Sequence, residues 1–100
     1  MYDMNNLKKL KTLKELAPEA MAGFYAFDAA VFKDGALPGK VKELIAVAVA
    51  LTTQCPYCIE IHAKKAKQAG CTDAELAEAA LVSAALRAGG SVTHATHAIG

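Results

Sequence analysis

Apolar residues recur along the chain at helical spacing, and interruptions of that spacing divide it into six short segments. Leu7, Leu10, Leu13 and Leu16 fall every third position among lysines. This predicts a short amphipathic helix ending near Leu16, with Asn5 or Asn6 as its cap. Ala17-Pro18 restarts the chain, and Pro18-Glu19 suits a helix N-terminus. Met21, Phe24, Tyr25, Asp28, Val31 and Phe32 come next at helical spacing as far as Asp34-Gly35, and Leu37-Pro38-Gly39 is a turn.

A third segment, about Lys40 to Gln54, contains VAVAL, a run compatible with a strand. Its alanine content, its length and its polar Lys40-Val41-Lys42-Glu43 opening favour a helix apolar nearly all round, and therefore central. Glu43 precedes Val47 by four residues and Leu51 by eight, so it shares their inward face. A carboxylate there requires a partner, because an unpaired buried charge is costly.

The fourth helix is expected from Pro56 to about Ala69, stopping at Gly70. Glu60, Lys64, Lys67 and Gln68 form its polar side; Cys58, Ile59, His62, Ala63 and Ala66 form its inner side. Thr72-Asp73-Ala74-Glu75 has the form of a capping box and opens a fifth helix, expected to reach about Ala88. Gly89-Gly90 is expected to end it. Ser91 would then cap a last segment, Val92 to Ile99, carrying His94 and His97. There are no repeats, low-complexity tracts or long linkers. The pattern predicts an all-α chain of about six helices forming one domain over residues 1–100.

Composition narrows the classes. The chain has 22 alanines and 6% aromatic residues, which favours helices packed closely through small side chains. A 100-residue domain buries roughly 60–70% of its unfolded surface. With 54% apolar residues, part of the remaining surface is expected to be covered by further copies in a homo-oligomer. A net charge of +1 provides no basic patch for nucleic acid or an anionic membrane. The most apolar run, Ile45 to Leu51, is far short of the ~20 residues a spanning helix needs. The first residues, MYDMNNLKKLK, lack the apolar core of a signal peptide. A cytoplasmic location is the expectation, and thiols there are kept reduced.

The candidate chemistry lies in Lys42 to Ala63. Pro56 fixes φ and lacks an N–H, so it fits the first position of a helix, and the residue before it avoids the α region. Cys55 therefore falls at the cap and Cys58 in the first turn. Separations of three and four residues put Cys55, Cys58 and His62 on one face. Helix N-terminal N–H groups and a neighbouring imidazole lower a thiol's pKa, and the thiolate is the nucleophile. A Cys-x-x-Cys pair lets a sulfenic acid on one sulfur be resolved by the other into a disulfide. His62 would relay a proton, with Glu43 orienting it or accepting from it. Antiparallel packing of the third and fourth helices would bring Glu43 near His62.

Leu37-Pro38, Lys42-Glu43-Leu44, Cys55-Pro56-Tyr57-Cys58, His62, Ala69-Gly70 and Asp73-Ala74-Glu75 together resemble the AhpD-like alkylhydroperoxidase group of the carboxymuconolactone decarboxylase superfamily. The resemblance spans about Leu37 to Gly89. It implies an all-helical fold assembled into trimers or hexamers, with the site close to a subunit interface, and a hydroperoxide reductase or disulfide oxidoreductase without a bound cofactor. It further implies Cys58 as the peroxidatic thiol, Cys55 as the resolving one, and His62 with Glu43 as the proton relay. Electrons would come from a dithiol donor, a lipoyl group or a thioredoxin-like protein. Members of the group can carry a histidine between the cysteines; Tyr57 stands there in this chain and is no base near neutral pH. Full-length alkylhydroperoxidase D proteins are longer, so the chain resembles the small single-domain kind. The decarboxylase branch lacks the cysteine pair.

Other readings of the same residues stand beside this one. Cys55, Cys58 and His62, with His94 or His97 as a fourth ligand, would form a zinc site. Alternatively the pair would be buried and inert, or the disulfide state would alter a partner surface without peroxide turnover. Cys71, after a helix-ending glycine, is expected to be structural. Phe24, Tyr25, Phe27 and Phe32 are expected in a core or a subunit interface, and Lys64, Lys65 and Lys67 on a solvated face.

Overall fold

A computed structural model describes residues 2–100. The chain is all-helical: a 3-10 turn at Met4–Lys9, then α1 (Leu10–Leu16), α2 (Pro18–Phe32), α3 (Gly39–Thr53), α4 (Pro56–Gln68) and α5 (Asp73–His94), and a closing 3-10 turn at Ala95–His97. No strand occurs among the described residues. The run VAVAL belongs to a helix. The residues cluster into two compact units, Met1–Gly39 and Lys40–Gly100.

In the first unit the cap differs from the expected one. The Asp3 carboxylate, rather than Asn5 or Asn6, accepts the Asn5 N–H at 2.9 Å. Asp3 has extended backbone angles, the conformation an N-cap needs. Pro18 starts α2, as its missing N–H allows. Phe24, Tyr25 and Phe27 are exposed in the single chain and Phe32 half-buried, so these aromatics do not form a core within it. None of the described residues of this unit is buried.

The second unit holds the core. Val47 of α3, Ala66 of α4 and Cys71 are buried together, with Leu44, Leu51, Ala63 and Leu76 packed against them. Ala66 is fully buried, and its single methyl lets α4 lie close to its neighbours. Lys40 and Glu75 form an ion pair at 3.2 Å, tying the start of α3 to the start of α5. The capping box is complete: Thr72 Oγ1 accepts the Glu75 N–H at 3.1 Å, and a Glu75 carboxylate oxygen accepts the Thr72 N–H at 2.9 Å.

Two connections in this unit use one backbone motif. After α4, Gly70 adopts φ +95°. The Cys71 N–H then reaches back to the Ala66 carbonyl at 2.9 Å and the Gly70 N–H to that of Lys67 at 3.0 Å, the bond pattern of a Schellman C-cap. After α3, Gln54 takes the left-handed role with φ +56°, and the Cys55 N–H reaches the Ala50 carbonyl at 3.1 Å.

α5 corrects the expected boundary. Neither Gly89 nor Gly90 has a positive φ, so neither provides the left-handed turn with which Gly70 stops α4. The helix continues to His94, and the expected separate segment over Val92 to Ile99 reduces to the last helical residues and a 3-10 turn. The His94 ring donates from Nδ1 to the Gly90 carbonyl at 2.8 Å, one turn back in the same helix.

Candidate active site

Cys55 has two structural roles at once. It closes α3 through its N–H and opens α4 as the N-cap, with extended backbone at φ −95°, ψ 102°. Pro56 enforces this, since it disfavours α geometry at the residue before it and occupies N1 of the new helix. The Cys55 sulfur therefore sits over the first turn of α4 and accepts the Cys58 N–H at 3.4 Å. Its distance to the Cys58 sulfur is 2.9 Å. Both cysteines are free thiols, Cys55 half-buried and Cys58 exposed. The exposure of Cys58 departs from the inner side expected for it: a first-turn side chain looks over the helix end rather than into the packing below.

The two thiols are electrostatically unequal. The Cys58 S–H beside Cys55 holds the Cys55 thiol below its ordinary value, helped by the N–H groups of Cys58 and Tyr57 and opposed by desolvation. The same hydrogen bond, together with desolvation and the Cys55 charge, pushes Cys58 up. The first proton lost from the pair thus leaves a thiolate on Cys55 with the remaining proton on Cys58. Partial positive charge at the helix N-terminus favours the anion in that place.

One turn further along α4, His62 Nδ1 donates to Glu43 Oε2 at 2.7 Å. Glu43 comes from α3 and is only 8% exposed, so the contact expected from antiparallel packing is present and supplies the buried carboxylate's partner. Packing of α3 against α4 through Val47 and Ala63 sets this separation.

Sequence reasoning misses two features beside the site. Arg87 of α5, the only arginine in the chain, donates from its guanidinium to the Thr52 carbonyl, in the last turn of α3. A lone arginine 35 residues downstream carries no local signal of this. Gln54 does not stand out either, although a two-residue link from Thr53 to Pro56 requires a sharp reversal there.

The other expected ligands lie apart. His94 is engaged with Gly90 and packs against His97 with ring centroids 5.8 Å apart. Among the described residues no group of three or more His, Cys, Asp and Glu side chains is arranged to hold a metal ion. The zinc alternative therefore has no gathered ligand set. Cys71 is buried in the core, its sulfur 3.7 Å from the Lys40 carbonyl, and burial, foremost, pushes its thiol up.

A helical bundle presenting a free cysteine pair at a helix N-terminus, with a histidine–carboxylate pair one turn below, defines a class of small α-helical thiol proteins. The profile of the carboxymuconolactone decarboxylase family matches residues 18–99, and the chain belongs to that family. It is 50% identical over 76 residues to the uncharacterized protein 4 of the cox locus of Paracoccus denitrificans, covering 76% of this chain and 68% of that one. A crystal structure of a Methanobacterium thermoautotrophicum protein superposes with a TM-score of 0.80 at 40% identity, over 85% of this chain and 96% of that one. An apo carboxymuconolactone decarboxylase family protein of Legionella pneumophila gives 0.81 at 36% identity, over 92% and 82%. No helix among the described residues is long and apolar enough to cross a membrane.

Proposed function

We propose that the protein is a thiol-dependent hydroperoxide reductase that cycles through a Cys55–Cys58 disulfide. The observation that carries this reading is the 2.9 Å approach of the two sulfurs at the start of α4, with one of them exposed to solvent. Cys58 meets the peroxide. As its sulfur attacks the peroxide oxygen, its proton passes to the Cys55 thiolate beside it. The O–O bond breaks, the alcohol departs, and Cys58 becomes a sulfenic acid. Cys55 then attacks Cys58, the S–S bond forms and water leaves. His62, oriented by Glu43, supplies and recovers the proton needed by the departing oxygen. Two electrons from a dithiol donor restore the thiols. Family membership alone is compatible with decarboxylase-type chemistry; the cysteine pair favours the redox reading.

Stopped-flow mixing of pre-reduced protein with an alkyl hydroperoxide is expected to consume one peroxide per chain. Intact-mass analysis is expected to show loss of two hydrogens, with the bridge mapped to Cys55 and Cys58. A protein that leaves the peroxide untouched would remove the proposal.

We also infer that the chain works as a homo-oligomer. Val82 and Leu86, four residues apart on one face of α5, are 58% and 69% exposed, an apolar ridge unusual for a lone soluble chain. Sedimentation at micromolar concentration is expected to give a species well above 10.4 kDa; a single species at that mass would refute it.

A further inference from the structure

α3 ends two residues short of a proline, and that proline withholds a backbone donor from its last turn. In a continuing helix the Thr52 carbonyl would accept the N–H four residues on, but residue 56 is Pro56 and has none. The acceptors just before it are held locally. Thr52 Oγ1 donates to the Val49 carbonyl at 2.6 Å and Thr53 Oγ1 to that of Ala50 at 3.2 Å. The Ala50 carbonyl also receives the Cys55 N–H. The Thr52 carbonyl takes its donor from another helix, the Arg87 guanidinium of α5. A cation is favourably placed at a helix C-terminus, where side chains of this kind satisfy the last carbonyls.

This bond is made three residues before Cys55. Between them stand Thr53 and Gln54, the latter at φ +56°, a conformation a residue with a side chain keeps only when its surroundings impose it. Cys55 is thus placed by the end of α3 on one side and by Pro56 on the other. Its sulfur lies 2.9 Å from the Cys58 sulfur and 3.4 Å from the Cys58 nitrogen. The Cys58 S–H first, then the N–H groups of Cys58 and Tyr57, hold the Cys55 thiol below its ordinary value. Contacts of this kind weaken steeply with distance and angle, so their effect depends on where the Cys55 backbone is held.

We propose that Arg87 is a positioning residue of the thiol site: it supplies the hydrogen bond that Pro56 withholds, fixes the last turn of α3, and keeps Cys55 over the first turn of α4. This rests on Cys55 and Cys58 as the reactive pair of the proposed function and names the residue that sets their geometry. Pro56 and Arg87 form a complementary couple. The proline starts α4 at the cysteine, and the arginine repairs the helix end that the proline leaves open.

The test reads thiol acidity in reduced full-length protein, through the rate of iodoacetamide alkylation against pH. Products are mapped by mass spectrometry to the peptide containing Cys55 and Cys58, so that Cys71 is not counted. Wild type, Arg87→Met and Arg87→Lys are compared at low salt and at about 1 M NaCl, where charges are screened beyond roughly 3 Å. Arg87→Met is expected to move the midpoint up by on the order of half a pH unit at both salt concentrations. Arg87→Lys, whose ammonium still donates to a carbonyl, is expected to stay close to wild type. An unchanged profile with a lowered urea midpoint would overturn the inference, leaving Arg87 only a brace between α5 and α3. A shift that vanishes in salt, or that lysine does not reduce, would overturn it too. Arg87 is exposed, and Arg87→Gln carries the same expectation if the methionine variant does not fold. The expected shifts in a protein inert to peroxide would keep the inference and remove only the peroxidase reading.

Discussion

Cys55 and Cys71 occupy the same position in the same backbone motif, and they have opposite properties. Each comes directly after a left-handed residue at the end of a helix, and each donates its N–H to the carbonyl five residues back, Ala50 for one and Ala66 for the other. The next residue in the chain decides the outcome. After Cys55 comes proline, which starts a helix at once and makes the cysteine its N-cap. After Cys71 comes threonine, which takes the capping role itself and leaves the cysteine side chain to the core. A thiol over a helix N-terminus is an acid and a ligand for N–H groups. A thiol packed among Val47 and Ala66 is a small apolar filler. The surroundings of each thiol are assigned by the neighbouring residue rather than by the cysteine.

The sharpest break of this comparison is substitution of each thiol in turn. Cys58→Ser is expected to abolish peroxide consumption, and Cys55→Ser to allow one oxidation and then stall at the sulfenic acid. Cys71→Ala is expected to turn over at the wild-type rate. Full activity in Cys58→Ser, or loss of it in Cys71→Ala, would place the chemistry elsewhere.

A smaller effect concerns ionisation. The Cys58 S–H is the first cause of the low Cys55 value, so Cys58→Ala removes the donor and moves Cys55 back up toward an ordinary thiol. Its thiolate fraction, tracked by ultraviolet absorbance against pH, is then expected to appear at higher pH than the first thiolate of the wild-type pair. An unchanged titration would assign the lowering to the helix terminus alone.

The smallest effects come from the residues before the two cysteines. Gln54 carries a steric penalty that glycine avoids at φ +56°. Gln54→Gly is therefore expected to stabilise the chain, or at least cost nothing, whereas Gly70→Ala at φ +95° is expected to destabilise it by about 1 kcal/mol. Urea midpoints of the two variants measure the difference, and equal shifts in one direction would contradict the shared motif.

Much of this arrangement is legible in the amino-acid sequence. Pro18, Pro56 and the Thr72–Glu75 box are local devices, so the starts of α2, α4 and α5 can be read directly. The Glu43–His62 contact is reachable because helical spacing puts both on facing stripes and a buried carboxylate needs a partner. The exposure of Cys58 is not legible, since it depends on what lies over the first turn of α4. The end of α5 escapes the pattern because glycine stops a helix only when it turns left-handed, and no residue pattern distinguishes Gly70 from Gly89. Arg87 is invisible because its partner is a backbone carbonyl distant in the chain.

The glycine pair inside α5 has a mechanical meaning. Up to Ala88 the helix is anchored, by the capping box at one end, by Leu76 against the core and by buried Ser83. Beyond it, helical structure must propagate through two residues that each favour it by about 1 kcal/mol less than alanine, and Ser91 to His94 are all exposed. The end of α5 is thus a tip hinged on Gly89 and Gly90. It can unwind and reform on the submicrosecond scale of helix–coil exchange, carrying His94 and His97 with it and leaving the frame around the cysteines at rest.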